Sequence, residues 1–199
     1  MYKSKIKPNN VSKQSGFALL IALIVVGVVV SVGLTLLDLT IKQLGLSTNS
    51  RDSEMAFHAA NAGLECASYW RNYEYANLES GNNITLECFG DTDSDTPITD
   101  PSAGDGESHL YHFQFDWGPT GAERCSDVRM LLMVSDNGTT GSVVNNVDDV
   151  TMIPSYPYGS TKTCEPGGRC AVISVRGYNK TCSNIGSTGT LEREVLLES

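Results

Sequence analysis

The sequence predicts an α+β protein in which a long N-terminal transmembrane and amphipathic helix packs on a C-terminal antiparallel β-sheet and is stapled to it by disulfides. Three observations predict this fold. An uncharged apolar run begins at Phe17 and passes into a helical apolar spacing that continues to about Asn72. Short segments that alternate apolar and polar residues follow, and all six cysteines lie beyond the apolar run. The 199 residues therefore provide one anchor and one domain of ordinary size.

Residues 17–37 form the predicted membrane-spanning segment, because they contain neither a charge nor a proline. As a helix this segment extends about 30 Å, which is the thickness of the hydrocarbon core of a bilayer. A cleaved secretory signal has a shorter apolar core and a small-residue cleavage site, which this run lacks. We expect the helix to continue outside the membrane over residues 38–72, although Gly45 and the small polar residues 47–50 favour a bend.

The charges are distributed unevenly around this segment. Every acidic residue follows it, whereas four lysines precede it: Lys3, Lys5, Lys7 and Lys13. The positive-inside rule therefore places the N-terminus in the cytoplasm and the remainder outside. Removing these four charges from the formal net charge of −9 leaves −13 on the rest of the chain, and the bulk of so acidic a surface repels nucleic acid.

The six cysteines predict disulfides formed in an oxidising compartment, because their number is even and all lie on the outer side of the segment. No C-x-x-C pair occurs, which disfavours a structural zinc site. Many pairings are open from sequence alone. Proximity along the chain favours Cys66 with Cys88, and Cys164 with Cys170 around the turn-forming EPGGR, which leaves Cys125 with Cys182.

The junction KQSGFALLIALIVV, residues 13–26, resembles the leader of type IV prepilins. A short basic leader, residues 1–16, ends in Gly16 and is followed by Phe17 and an uninterrupted apolar helix. The resemblance implies that a prepilin peptidase cuts after Gly16 and methylates the amino group of Phe17. A glycine suits such a site, because the peptidase needs an unfolded, closely approachable backbone at the membrane surface.

Residues 51–70, RDSEMAFHAANAGLECASYW, resemble the R-D-x-x-x-A-F-x-A-A-E-A-G-L helix of PilX-type minor pilins. The matching positions are Arg51, Asp52, Ala56, Phe57, Ala59, Ala60, Ala62, Gly63 and Leu64. One departure is Asn61, which stands where the family usually has glutamate, so no role of that carboxylate is carried over. The resemblance covers residues 14–70; the rest of the chain is similar only in general architecture.

A second departure is Ile21, at the fifth position of the mature chain, where the major pilins resembled here have glutamate. In that family the carboxylate neutralises the amino terminus of a neighbouring subunit inside the fibre, where an unpaired charge is costly. Ile21 does not supply it. The resemblance therefore implies an initiating or tip-proximal place, with Phe17 and Ile21 at the assembly surface.

The function implied is that of a minor, low-abundance type IV pilin-like subunit acting in pilus assembly or initiation, or at the tip. Its partners would be other pilin subunits through the N-terminal helix, the prepilin peptidase and the inner-membrane assembly machinery. It would be a single-pass membrane protein before assembly and part of an extracellular fibre afterwards. Two alternatives stay open: a signal-anchored cell-surface binding protein, and a pseudopilin of type II secretion or DNA uptake.

Residues 73–199 form the predicted extracytoplasmic β-rich domain. Its expected half-buried strands are residues 84–89, 110–117, 128–134, 171–178 and 191–197. In the second of these, four aromatic side chains share one face that we expect to cover the C-terminal half of the helix: Tyr111, Phe113, Phe115 and Trp117.

Polar loops are predicted at residues 91–108 and 137–150. The first opens like a calcium loop, but Thr96 and Ser102 stand where glycine and glutamate are required, so no metal site is predicted. The chain also has no nucleophile elbow, phosphate-binding loop or dinucleotide motif. We therefore expect neither catalysis nor a cofactor.

Overall fold

A computed structural model describes residues 15–95, 98–99, 106–136, 141–154 and 156–199. The chain divides into two compact units, Met1–Asn49 and Ser50–Ser199. The first helix, α1 (Ser15–Tyr73), contributes to both units and ends one residue beyond the predicted position. The prediction of one long helix holds through Gly45 and the small polar residues, because helical structure continues through residues 45–50.

In the first unit, every large apolar side chain from Phe17 to Leu46 is exposed. Among the described residues, α1 is the one helix long and apolar enough to cross a membrane. Its hydroxyl groups bond back to the helix: Ser31 donates to Val28 O at 2.8 Å, and Thr35 donates to Ser31 O at 2.9 Å. Such internal bonds let polar side chains sit in an apolar surrounding without unmet hydrogen bonds.

The second unit is built on a five-stranded antiparallel sheet in the order β3-β4-β5-β8-β9. A short helix, α2 (Tyr75–Glu79), follows α1, and a 3₁₀ turn spans Cys182–Asn184. The strands are β1 (Ile84–Cys88), β2 (Asp91–Asp95), β3 (Ile98–Thr99), β4 (Gly106–Trp117), β5 (Arg124–Ser135), β6 (Ser142–Asn145), β7 (Thr161–Cys164), β8 (Arg169–Tyr178) and β9 (Glu192–Glu198). Four predicted strands thus correspond to β4, β5, β8 and β9 of the main sheet.

One face of the sheet packs on the C-terminal part of α1, as predicted from the aromatic residues of β4. Tyr111, Phe113 and Phe115 are buried there with Ala60 and Ala67 of α1, and the partly buried Trp117 packs against the same core. Alternation along β4 places these aromatic side chains on one face. The prediction that this face covers the helix is confirmed.

The opposite face carries a second core, which the sequence analysis missed. Leu131 of β5 and Val172 of β8 pack there with Val144, Ile153 and Tyr156 of the segment 141–164. The prediction of half-buried strands is therefore wrong for β5 and for β8, in which most residues are buried. A strand covered on both faces loses the apolar-polar alternation that marks a half-exposed one.

Two predicted loops contain strands. Asp91–Asp95, in the predicted loop 91–108, is β2 and pairs with β1 in a separate two-stranded sheet. Ser142–Asn145, in the predicted loop 137–150, is β6 and pairs with β7. Residues 96–97, 100–105 and 137–140 of these loops lie outside the described residues. The sequence did not indicate these strands, because each is short and lies in a small two-stranded sheet instead of the main one.

The structure forms three disulfides: Cys66–Cys88, Cys125–Cys182 and Cys164–Cys170. These are the pairs that chain proximity favoured. Cys66–Cys88 joins α1 to β1, which belongs to the two-stranded β1–β2 sheet and not to the main one, so the expected staple to the main sheet is corrected. Cys125–Cys182 joins the start of β5 to the 3₁₀ turn before β9.

Candidate functional site

The residues proposed for processing and assembly lie in the first unit. Gly16 is within the first turn of α1, where a β-carbon would meet nothing within 4 Å. Phe17 is 72% exposed and Ile21 is 46% exposed. Residues 1–14 of the predicted leader lie outside the described residues. Gly16 therefore has open space beside it but lies in helical structure, so the unfolded backbone expected at the junction is absent from its described part.

The A-F-x-A-A-N-A-G-L segment of α1 has a structural explanation in the second unit. Its small residues form one helix face against the sheet: Ala56, Ala59, Ala60, Gly63 and, one turn further, Ala67. Residues three and four positions apart share a helix face, so this spacing makes a smooth, flat surface. The helix backbone therefore comes unusually close to β5 and β8.

Two observations measure this close approach. A β-carbon on Gly177 of β8 would collide with Ala56 O and Ala60 N of the helix backbone. The buried hydroxyl of Ser126 in β5 donates to Ala59 O at 2.7 Å. Gly177 is thus required where the helix crosses β8, and Ser126 fixes the helix over β5 by a direct bond.

Beside this contact, a groove of about 640 Å³ opens in the second unit between α1 and the connection from β4 to β5. The α1 wall consists of Arg51, Met55, His58, Asn61, Ala62 and Glu65. The opposite wall consists of Phe89, Trp117, Gly118, Pro119, Ala122 and Arg124. We call this feature the α1 groove. Its volume lies within the range of ligand-binding clefts.

Arg124 and Met55 join the two walls of the α1 groove. The Arg124 guanidinium lies 3.0 Å from the Met55 sulfur, and it also donates to Ala122 O at 2.6 Å and Glu123 O at 2.9 Å. The carboxylate of Glu123 in turn accepts from Gly121 N at 2.9 Å, and its backbone hydrogen bonds hold the pKa of that carboxyl below its ordinary value. The rim of the groove is therefore a preorganised turn.

Phe89 forms the most exposed apolar part of the groove. Cys88 pairs with Asp91, so Phe89 and Gly90 are the two central residues of a hairpin turn, with φ of 56° and 88°. Positive φ at both positions defines a type I′ turn, which favours Asn-Gly over a bulky first residue. The Phe89 ring stacks on Phe115 and packs against Trp117, each at 5.9 Å between ring centroids. The predicted strand 84–89 therefore ends one residue early, with Phe89 in the turn.

Two clusters of titratable or ligand-type side chains in the second unit have structural explanations. His112 Nε2 lies 2.7 Å from Asp127 Oδ1 on the sheet face away from α1. Burial alone would raise the pKa of Asp127, but His112, Gln114 and Arg129 together hold that pKa below its ordinary value. Asp116, Cys125 and Cys182 place ligand-type atoms close together, yet the two sulfurs share a disulfide and supply no thiolate.

The structure thus brings together residues that the sequence analysis treated separately. Arg51 and Ala62 of the α1 motif meet Trp117 of the aromatic strand and Arg124 in one groove. The sequence did not predict that Phe89 and Pro119 line a groove at the surface. The available signal was the Phe-Gly pair between Cys88 and Asp91, because a dipeptide ending in glycine marks a tight turn.

Comparisons with protein-family models, with curated proteins and with solved structures found no match to this chain.

Proposed function

We propose that this chain is a minor type IV pilin-like subunit, processed after Gly16, that acts in pilus assembly or initiation or at the tip. The observation that carries the proposal is the composition of α1. Residues 17–46 expose large apolar side chains in every direction, whereas residues 56–67 present small residues to the main sheet. A helix that is apolar all round needs a membrane or other helices around it.

The two parts of α1 suit the two states of such a subunit. In the membrane, residues 17–37 would be covered by lipid, and their hydroxyls already bond within the helix. In a fibre, the same side chains would be covered by helices of other subunits. The N-terminal helix thus acts first as an anchor and then as the polymerisation surface.

Ile21 supports an initiating or tip-proximal place. It gives this chain an apolar side chain at the fifth mature position, so no carboxylate is left without a partner when no subunit stands above it. A buried unpaired carboxylate would be strongly unfavourable in such a place. Low incorporation along the shaft is the corollary.

A second candidate is a permanently anchored surface protein whose second unit binds a ligand. The observation that favours it is the α1 groove, which has the volume and the aromatic lining of a binding cleft. This candidate retains its leader and stays in the membrane. A pseudopilin of type II secretion or DNA uptake shares the processed anchor and differs in its machine.

Intact-mass spectrometry of membrane-extracted and sheared extracellular fractions separates these functions. The pilin proposal expects a mature chain beginning at N-methylated Phe17, with three disulfides, in the sheared fibres. A chain beginning at Met1 and present only in membranes would instead establish the anchored surface protein.

Gly16→Ala provides the matched test of processing. The structure has open space around Gly16, so alanine leaves the fold intact and changes the peptidase site alone. We expect the leader to stay attached and fibre incorporation to be lost. Gly186→Ala, at another position with open space, is the control and should be processed normally. Normal processing of Gly16→Ala would contradict the proposal.

A further inference from the structure

We infer that the α1 groove is a docking site for a second copy of this chain, and that it receives the exposed loop Asp148–Asp149–Val150 of that copy. The inference deepens the proposed function by naming a contact between two copies at the initiating or tip-proximal place, and it rests on that function only in requiring an assembly. Three properties of the groove and the loop support it: charge, presentation and position.

The groove differs in charge from the rest of the second unit. The unit Ser50–Ser199 contains most of the acidic residues of a chain whose formal net charge is −9, so two copies repel at long range. The groove is less acidic than the rest of this unit, because Arg51 and Arg124 offset the carboxylates of Glu65 on its wall and Glu123 on its rim. Its floor and walls are otherwise mainly apolar. Such a site suits an apolar side chain that is flanked by carboxylates.

The loop has this composition. Val150 is 73% exposed, which makes it the most exposed large apolar side chain of the described chain, and the exposed residues Asp148 and Asp149 precede it directly. Asp149 Oδ1 accepts from Thr151 N at 2.9 Å, and backbone and side-chain hydrogen bonds from Thr151 keep the pKa of Asp149 below its ordinary value. The carboxylate is therefore ionised at neutral pH.

Both elements are held in a fixed shape before they meet. Arg129 of β5 donates to Val150 O at 2.7 Å and to Met152 O at 2.8 Å, so the loop backbone is bound while the Val150 side chain points outward. In the groove, Phe89 is held outward by a type I′ turn that is unfavourable for a bulky residue. Preorganisation lowers the entropy lost on docking.

The position of the two elements excludes a contact within one chain. The groove lies beside α1, on the sheet face that packs on the helix, whereas the loop belongs to the cover of the opposite face. The contact is therefore intermolecular and joins two different surfaces. A contact of this kind leaves one groove and one loop unpaired in a pair of copies.

A photo-crosslinking amino acid in place of Val150 tests the docking in the full chain, in detergent micelles. Two populations, one labelled with ¹⁵N, are mixed before illumination so that crosslinks between copies are recognised by mass. We expect position 150 of one copy to attach to Met55, Trp117 or Pro119 of the other. The same amino acid at Tyr158, exposed on the same side of the sheet, is the control. Crosslinks elsewhere, or a yield no higher than at Tyr158, would overturn the inference.

Charge exchange tests the electrostatic part of the docking in the same crosslinking experiment. Asp148→Lys and Arg51→Glu should each lower the yield about fivefold, and the two together should restore it, because the pair is then reversed in sign. Asp136→Lys, on another exposed loop, should leave the yield unchanged. Failure of the double variant to restore the yield, or an equal loss in Asp136→Lys, would overturn the inference.

The same samples distinguish this inference from the proposed function. A chain that begins at Met1 and still crosslinks through the groove keeps the docking and removes the pilin proposal. A chain that begins at methylated Phe17 and gives no groove crosslink supports the pilin proposal and overturns the docking.

Discussion

The two parts of α1 are both apolar, yet they use apolar residues of opposite kinds. Residues 17–46 carry leucine, isoleucine and valine on every side, and these side chains are exposed. Residues 56–67 carry alanine and glycine on one face, and these are buried against β5 and β8. Large side chains gain by transfer out of water, whereas small ones allow two backbones to approach. Side-chain size thus indicates which surrounding each part of the helix requires.

The largest expected effect is on the stability of the second unit, which contains all six cysteines, whereas the first unit contains none. Replacing Cys125 and Cys182 by alanine removes a bond that spans 57 positions, and we expect a loss of about 4 kcal/mol in the free energy of unfolding of Ser50–Ser199. The matched removal of Cys164–Cys170, which spans 6 positions, should cost about 2 kcal/mol. Tryptophan fluorescence during denaturation of the full chain measures both, and equal losses would contradict the loop-entropy explanation.

The next effect concerns the first unit. Ile21→Glu should raise the number of copies along the fibre, because the added carboxylate can pair with the amino terminus of a neighbouring subunit. Ile24→Glu, nearly one turn further along, is the control: its carboxylate lacks that partner and should cost about 3 kcal/mol in the membrane. Quantitative mass spectrometry of sheared fibres counts the copies. An unchanged number for Ile21→Glu would remove the argument for a tip position.

A smaller effect tests the close approach in the second unit. Gly177→Ala places a methyl group against the backbone of Ala56 and Ala60, and we expect it to cost about 2 kcal/mol because the helix must move away. Gly186→Ala has open space and should be neutral. Thermal unfolding of the two variants measures the difference. Similar midpoints for both would mean that the small-residue face is not required.

The smallest effect is a dependence on pH that belongs to the second unit alone. The folded-state pKa of Asp127 is lowered, so the unfolded chain binds a proton more readily than the folded chain. This carboxylate therefore adds stability above its unfolded pKa and loses that contribution as the pH falls through its folded pKa. Asp127→Asn should be less stable at neutral pH and should flatten the acid side of the stability curve. An unchanged curve would contradict the role of the His112–Asp127 pair.

The long helix and the helix-facing side of the sheet could be predicted because each depends on a pattern local to one segment. The uncharged run after Gly16 and the alternating aromatic residues of β4 are examples, and both correspond to elements of the structure. The second core could not be predicted in this way. Leu131 and Val172 interrupt the expected alternation, and they are covered by Ile153 and Tyr156 from a segment that lacks a regular pattern.

The candidate groove was beyond sequence reasoning for a related reason. Arg51, Phe89 and Arg124 belong to a helix, a hairpin turn and a strand end, and only the tertiary packing brings them together. The disulfide pairs were accessible because Cys66 with Cys88 and Cys164 with Cys170 are near neighbours along the chain. Asp91–Asp95 was misassigned, because its polar composition is typical of a loop although it forms a strand.

The arrangement of the disulfides also constrains the order in which they can form. In the proposed topology, the cysteines would reach the oxidising side of the membrane in the order of the sequence. Joining each to the next would correctly link Cys66 with Cys88, but would then link Cys125 to Cys164 and Cys170 to Cys182. The native Cys125–Cys182 bond encloses the Cys164–Cys170 bond. In that topology, maturation would require either that Cys125 stays reduced until nearly the whole chain has crossed, or that thiol exchange reshuffles the later bonds.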